Sequence, residues 1–231
     1  MMRKVSVAQI TFFLFLFLVI VAGGAGLTWA ASGLVPSGDF RGIVLLGTAV
    51  VLIYSCAFIV YRVFLALMPL ETGEVALGSR HEFSAQINTL FYLIFFYPLT
   101  CTRFVPVPVM RLIYLALGAK LGDNSYSGGV IMDPPLTTVG ANSLIGHDAV
   151  VYAHVIEGQR LGLYPVRIGS GVTVGAHAII MPGVAIGDGA IISSGAVVTK
   201  GCQVGANEIW AGVPARKIGM RQDEQAATPG G

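Results

Sequence analysis

Ile168-Gly-Ser-Gly-Val-Thr-Val174-Gly-Ala-His-Ala-Ile-Ile180-Met-Pro-Gly-Val-Ala-Ile186-Gly-Asp-Gly-Ala-Ile-Ile192-Ser-Ser-Gly-Ala-Val-Val198 is the stretch that decides the fold. An aliphatic residue returns every six positions, continues to Val204, and is already present at Val139, Ile145 and Val151. Glycine follows most of them: Gly140, Gly146, Gly169, Gly175, Gly187 and Gly205. Six residues make one flat strand and one tight corner, so three units close a triangular coil, and coils stack as parallel strands about 4.8 Å apart. Neither a 3.6-residue period nor an alternation of strand and helix lengths fits, which excludes a helical or Rossmann-type reading. The aliphatic residues then point inward. Small or modest residues four places on (Ser143, Ala149, Val172, Ala178, Val184, Ala190, Ala196 and Cys202) share the crowded axis. The glycines are expected at corners where a side chain or a negative φ is costly.

Outward from the repeat, the composition changes. The 231 residues are 55% hydrophobic and 11% charged, with a mean hydropathy of +0.76, too apolar for an ordinary soluble enzyme. The excess lies at the front. No charge occurs from Val5 to Gly38, and a second uncharged run goes from Gly42 to Tyr61 and continues past Arg62 to Leu70. Each run is long enough to cross about 30 Å of hydrocarbon as a helix. A cleaved secretory leader is the alternative for the first run, since Arg3 and Lys4 precede it and Thr28-Trp29-Ala30 resembles a weak cleavage site. In both cases the repeat falls on the cytoplasmic side. Arg62, Arg80, Arg103, Arg111 and Lys120 follow the second span, whereas the connecting loop has only Asp39 and Arg41.

Between spans and repeat lie broken apolar runs, Ile87 to Thr100 and Met110 to Leu117, divided by Pro106 and Pro108. They are short for spans and rich in aromatics near basic residues, which suits helices in the membrane interface. The net charge of +2, with no basic run in the repeat, argues against a nucleic-acid partner. Cys56, Cys101 and Cys202 show no disulfide or zinc spacing.

The repeat breaks its own rule once. From Val151 the next starting position is Ile168, one residue short of a whole coil of eighteen, and Glu157 to Arg167 lack hexad character. This segment reads as a loop extruded from a corner, with Tyr152-Ala-His154 on a stiff strand at its edge, where binding groups commonly sit.

Ile180-Met-Pro-Gly-Val-Ala-Ile-Gly-Asp-Gly, Ser194-Gly-Ala-Val-Val-Thr-Lys200 and Ala211-Gly-Val-Pro-Ala-Arg216, in this order, resemble the signature of hexapeptide-repeat acyltransferases, which include sugar O-acetyltransferases. The resemblance covers roughly residues 121–220. It implies a mainly β fold, a left-handed parallel β-helix against the usual right-handed crossover, here preceded by an α-helical membrane region of two transmembrane helices plus interfacial helices. The implied division is 1–70 for the transmembrane helices, 71–120 for the interfacial ones, 121–214 for the acyltransferase β-helix and 215–231 for a tail.

Carried over residue by residue, the family's histidine before the extruded loop falls on His154, as general base. Glu157 is placed either to orient that imidazole or to cap the loop. Gly129-Val-Ile-Met-Asp133 is similar to the stretch whose aspartate binds the acceptor, which makes Asp133 the candidate for a substrate hydroxyl. Just upstream the sugar acetyltransferases place an asparagine where this chain has Gly128, so a small free sugar is in doubt as acceptor. By the same pattern Ala176 and Ser194 present backbone groups to the pantetheine of acetyl-CoA or another acyl-CoA. Thr199, Lys200 and Arg216 reach its nucleotide and phosphates.

Together these imply a homotrimeric, CoA-dependent acyltransferase. It is anchored in a membrane, by expectation the bacterial inner membrane, with its β-helix in the cytoplasm and no metal. It acts on a membrane-associated acceptor: a lipid-linked sugar, a lipid headgroup or a surface-polymer precursor. Two other classes stay in view. A γ-carbonic-anhydrase-like hydratase shares the coil, but His147 and His154 are seven apart where that family pairs its later histidines five apart, and Arg111 occupies the earlier ligand position. A noncatalytic trimeric scaffold is the other. His147 and His177 read as corner residues or as part of a wall between subunits.

Overall fold

The computed structural model describes residues 4–36, 38–102 and 105–222, so Arg103 and the end of the tail lie outside it. Two units divide the chain: residues 1–71 with 75–99, and residues 72–74 with 100–231.

The first unit is helical. Helix α1 spans Val7–Ala31 and opens on a reciprocal cap, Gln9 N–H donating to Ser6 Oγ and Ser6 N–H to Gln9 Oε1. Helix α2 spans Arg41–Leu67 and runs back along it. Their closest crossing is at Gly24, where an added Cβ would lie 2.7 Å from Ile53 Cα. Helix α3, Arg80–Phe91, continues through a π-helical stretch, Tyr92–Phe96, into a last turn, α4, Tyr97–Thr100. Its aromatic side chains make the core of the unit, with Phe91 edge-on to Phe13 at 5.5 Å and Phe96 against Tyr61 at 5.1 Å. Tyr61 donates to Asn88 Oδ1 at 2.7 Å inside this core.

Both α1 and α2 are long and apolar enough to cross a membrane, and only 17% and 6% of their most apolar stretches are buried within the protein. Leu14, Leu18, Leu46, Val51 and Leu67 face outward. That is the reverse of a soluble core helix, which hides its apolar side chains.

The second unit is the coil. Three parallel ladders form its sides. One stacks Lys120–Leu121, Thr137–Val139, Val166–Ile168, Ala185–Ile186 and Gln203–Val204. The next stacks Tyr126–Ser127, Leu144–Ile145, Thr173–Val174, Ile191–Ile192 and Glu208–Ala211. The third stacks Val130–Ile131, Val150–Val151, Ile179–Ile180 and Val197–Val198. The hexad aliphatics Val139 to Val204 are buried, as are Ser143, Ala149, Val172, Ala178, Val184, Ala190 and Ala196. Each fully buried Val or Ile contributes about 1.5–3 kcal/mol, and the stack supplies the core from a repeat that no single coil could bury alone. Cys202, in the last coil, is half-buried, because no further coil covers it.

Of the two reasons expected for the glycines after the aliphatics, the cost of a side chain is the one that applies. None of Gly140, Gly146, Gly169, Gly175, Gly187 or Gly205 has positive φ; left-handed backbone falls instead on Asn142, Asp148, His177 and Asn207, among others. A Cβ on Gly146 would lie 2.7 Å from Ala176 N, and one on Gly187 2.6 Å from Ala206 N, both in the next coil. These glycines are required by the close approach of stacked backbone.

Two boundaries also differ from the sequence reading. Helix α5, Val107–Leu117, belongs with the coil: buried Tyr114 donates to Gly129 O at 3.0 Å and accepts from Ile131 N–H at 3.0 Å, covering the first coil's open end. At the other end Arg216–Met220, expected in the tail, forms a strand antiparallel to Glu208–Ala211. Glu208 fastens it, accepting from Lys217 Nζ, Trp210 Nε1 and Gly205 N–H at 2.8 Å each, bonds that hold its carboxyl down at about 2.

Candidate active site

The segment expected as an extruded loop is a two-stranded hairpin, His154–Glu157 paired antiparallel with Arg160–Leu163 around Gly158. It leaves the coil at the corner that follows Val150–Val151, and Gly73–Val75 adds a third strand along Arg160–Leu163. His154 is the first residue of this hairpin, so its backbone is fixed on both sides.

The ladder register brings its partner. Val130 lies opposite Val150 and Ile131 opposite Val151, which carries Asp133 to the level of Ala153 and His154. Asp133 Oδ2 accepts from Ala153 N–H at 2.7 Å and from His154 N–H at 3.2 Å, and lies 2.7 Å from His154 Nδ1. A carboxylate only accepts, so the network assigns the neutral imidazole's proton to Nδ1 and leaves Nε2 with its lone pair. The Asp133 side chain is 8% exposed and that of His154 34%. Burial pulls the His154 pKa down, but the Asp133 hydrogen bond and charge outweigh it, and the net is a pKa above the ordinary histidine value. Tyr152, its ring 5.8 Å from the imidazole, stands on the same edge.

Two expected site residues have partners that the sequence did not show. Asp133, expected to hold a substrate hydroxyl, meets the imidazole through Oδ2, and its Oδ1 makes no hydrogen bond among the described residues. Glu157, three residues along the hairpin strand, instead meets Lys200 Nζ at 3.3 and 3.5 Å. Lys200 also lies 5.2 Å from the centre of the Tyr164 ring. Tyr164 had no signal in the sequence beyond its place at the hairpin's end.

Thr199 and Lys200 are exposed at the corner below the hairpin. Arg216 is exposed as well, and Ala215 N–H donates to Val197 O at 2.8 Å, which sets the neighbouring Arg216 backbone beside the strand leading to the same corner. Ala176 and Ser194 stack on the preceding corner, one coil side away, with the strands Ile179–Ile180 and Val197–Val198 between the two edges. One copy of the chain therefore does not set His154 and this pair on a single edge. The side between the two corners presents Val130, Val150, Ile179 and Val197 outward, each half-exposed.

His147 and His177 fall on the Ala176 corner. His147 Nε2 is 3.4 Å from Asp148 Oδ2, and His177 has φ 57° with its N–H donated to His147 O at 2.9 Å. Arg111 donates to Gly122 O and Ser125 O at 2.9 and 2.7 Å. Among the described residues no three His, Cys, Asp or Glu side chains converge. Gly128 borders a cavity of about 130 Å³ with Ser127, Met110 and His147, and a Cβ there would make only ordinary contact, 3.6 Å from His147 backbone.

Residues 165–200 match the family described as bacterial transferase hexapeptide, six repeats. A delta-poly-L-ornithine synthetase of Acinetobacter baumannii (strain AB307-0294) is 30% identical over 122 residues, 52% of this chain and 9% of that protein. "Putative acetyltransferase YvoF" of Bacillus subtilis (strain 168) is 41% identical over 58 residues, 24% of this chain and 33% of that protein. The match thus spans a third or less of each of these curated relatives. Among solved structures, a galactoside acetyltransferase in complex with coenzyme A aligns with a TM-score of 0.46 and 24% identity, over 60% of this chain and 83% of that one. The coil is a left-handed parallel β-helix of the hexapeptide-repeat kind found in bacterial transferases.

Proposed function

We propose that this chain is a membrane-anchored acyltransferase that moves an acetyl or other short acyl group from acyl-CoA to a hydroxyl or amine of a membrane-associated acceptor. The observation that carries the reading is the Asp133–His154 pair at 2.7 Å, on a hairpin rooted in a hexapeptide-repeat coil. The acetyltransferase name of a relative 41% identical over 58 residues supports the reaction class.

His154 Nε2 takes the proton from the acceptor as its oxygen or nitrogen attacks the thioester carbonyl, and the imidazolium that forms is stabilised by Asp133. When the tetrahedral intermediate collapses, the C–S bond breaks and the proton passes to the departing thiolate. The acyl group ends on the acceptor and the thiol is released. Asp133 Oδ1 remains available for an acceptor hydroxyl. Lys200 and Arg216 supply point charge and planar guanidinium for the donor's phosphates, and the N–H groups of Ala176 and Ser194, which make no backbone hydrogen bond among the described residues, suit its amide carbonyls.

Because Ala176 and Ser194 lie one side away from His154, a complete site calls for a neighbouring copy. A cyclic trimer closed over the aliphatic side is the arrangement we infer, with a site between copies. The two outward-facing apolar helices favour an acceptor held in the membrane, since a transferase for a free sugar gains nothing from them. The test is release of CoA thiol by the full-length protein in detergent, offered a membrane lipid extract or a free sugar as acceptor. Turnover with the extract alone is expected; equal turnover with galactose or maltose overturns the membrane acceptor.

A further inference from the structure

The helical unit contains a feature that the proposed transfer chemistry does not use. Between α1 and α2 runs an apolar groove of about 380 Å³, lined by Phe12, Leu16, Val19, Ile59, Val63 and Met68 among others. At the end where α1 begins and α2 finishes, a second cavity of about 390 Å³ is polar, lined by Lys4, Ser6, Gln9, Gly78, Ser79 and Arg80 with Glu82 and Phe83. Met68 borders both, and Phe12 of the groove touches Phe83 of the polar cavity, their rings 5.3 Å apart. One elongated site thus changes from aliphatic to cationic along its length.

The charges at the polar end are unbalanced in one direction. Lys4 has no ion pair among the described residues, and Arg80 gives only Nη2, to Leu67 O at 3.0 Å. Glu82 is turned to the backbone, accepting from Gly78 N–H at 2.6 Å. A third cavity, of about 250 Å³, shares Met68 and Arg80 and is bounded by His81, Ser84 and the exposed Glu71. There the His81 Nε2 is buried without a hydrogen-bond partner. A buried polar nitrogen is normally satisfied, and this orphan borders the cavity that Arg80 shares with the polar one, a place for an acceptor-rich ligand.

We propose that this site holds a membrane lipid with a phosphate headgroup, acyl chain in the α1–α2 groove and phosphate between Lys4 and Arg80. The complementarity is double: a phosphate oxygen needs point charge and a guanidinium, and the chain needs an apolar slot continuous with them. The inference rests on the reading of α1 and α2 as membrane spans and is independent of the transfer chemistry.

The test is thermal unfolding of the full-length protein in neutral detergent micelles with dioleoyl phosphatidic acid, dioleoylglycerol or inorganic phosphate added. Phosphatidic acid is expected to raise the unfolding temperature, and dioleoylglycerol or phosphate alone to change it little. Lys4→Ala with Arg80→Ala should weaken the response about tenfold or more in lipid concentration. Arg62→Ala, which removes a charge from neither cavity, should leave it intact. Val63→Trp, filling the groove, should abolish the response to long chains while keeping that to a dihexanoyl phosphatidic acid, which guards against a double variant that misfolds. An equal response to dioleoylglycerol, or equal loss in Arg62→Ala, overturns the site. Flotation of the protein with phosphatidylcholine vesicles is measured alongside. Failure to float removes the membrane reading, whereas flotation without a phosphatidic acid response removes only the proposal.

Discussion

Two corners of the coil each carry a histidine beside an aspartate, and they differ in every respect that matters for proton transfer. At the hairpin corner Asp133 is sealed, receives two backbone N–H groups and lies 2.7 Å from His154 Nδ1. At the other corner Asp148 and His147 are 31% and 58% exposed and 3.4 Å apart. An aspartate next to a histidine in sequence makes an open surface contact; one brought from the previous coil by strand register makes an oriented imidazole. Residue types do not distinguish the two pairs, and burial of the carboxylate does.

The largest effect should separate the two histidines. His154→Ala is expected to lower the rate of CoA thiol release by about two to four orders of magnitude, the span of a lost general base. His147→Ala is expected to stay within about threefold of wild type, the size of a lost exposed pair. Equal losses in the two variants would erase the distinction between the corners.

Next comes the carboxylate. Asp133→Asn keeps the shape of the site but removes the charge that raises the His154 pKa, leaving burial to pull it down. The acidic limb of the pH–rate profile, set above the ordinary histidine value in wild type, should move to lower pH in the variant. The plateau should fall by about ten- to a hundredfold, as expected when the imidazole loses its orientation. Stability follows the same sign. A histidine with a raised pKa stabilises the fold below its unfolded pKa and loses that contribution as pH rises through the folded value. Asp133→Asn should flatten this dependence, read by denaturant unfolding at a series of pH values.

Within the His147 corner, successive coils also differ in how tightly backbone is stacked. Gly146→Ala would drive a Cβ to 2.7 Å from Ala176 N and is expected to cost about 1–3 kcal/mol. Gly128→Ala, with its nearest contact at 3.6 Å, should change stability by less than about 0.5 kcal/mol. Denaturant midpoints give both numbers. The smallest effect belongs to the exposed Glu157–Lys200 pair. Glu157→Gln frees the lysine for the donor's phosphates and should lower KM for acetyl-CoA by a few fold at most, since exposed pairs contribute about 0–1 kcal/mol. A rise in KM would mean that Glu157 positions Lys200 productively.

Much of the coil was legible because its period is carried by identity: the aliphatic residues at steps of six occupy the buried positions. The glycines were legible as a pattern, and of the two reasons given only the side-chain cost holds; a single coil does not show that the next one passes within 3 Å. The hairpin was visible only as an interruption. Its pairing of His154 with Leu163 depends on the rigid corner beneath and has no local alternation to announce it. The contact of Asp133 with His154 was not legible, because the register of Val130 opposite Val150 that brings Asp133 level with Ala153 departs from the eighteen-residue coil count. Tyr114 looked like one more interfacial aromatic. Only the free strand ends of the first coil explain why it is buried there.

The most direct measurement is calorimetric titration of acetyl-CoA into the full-length protein in detergent, with Lys200→Ala plus Arg216→Ala and with His154→Ala as comparisons. The account predicts micromolar binding, weakened in the double variant and retained in His154→Ala, whose defect is in turnover alone. Absence of binding by acetyl-CoA and by longer acyl-CoAs would contradict it and leave the coil as a scaffold for the two long apolar helices.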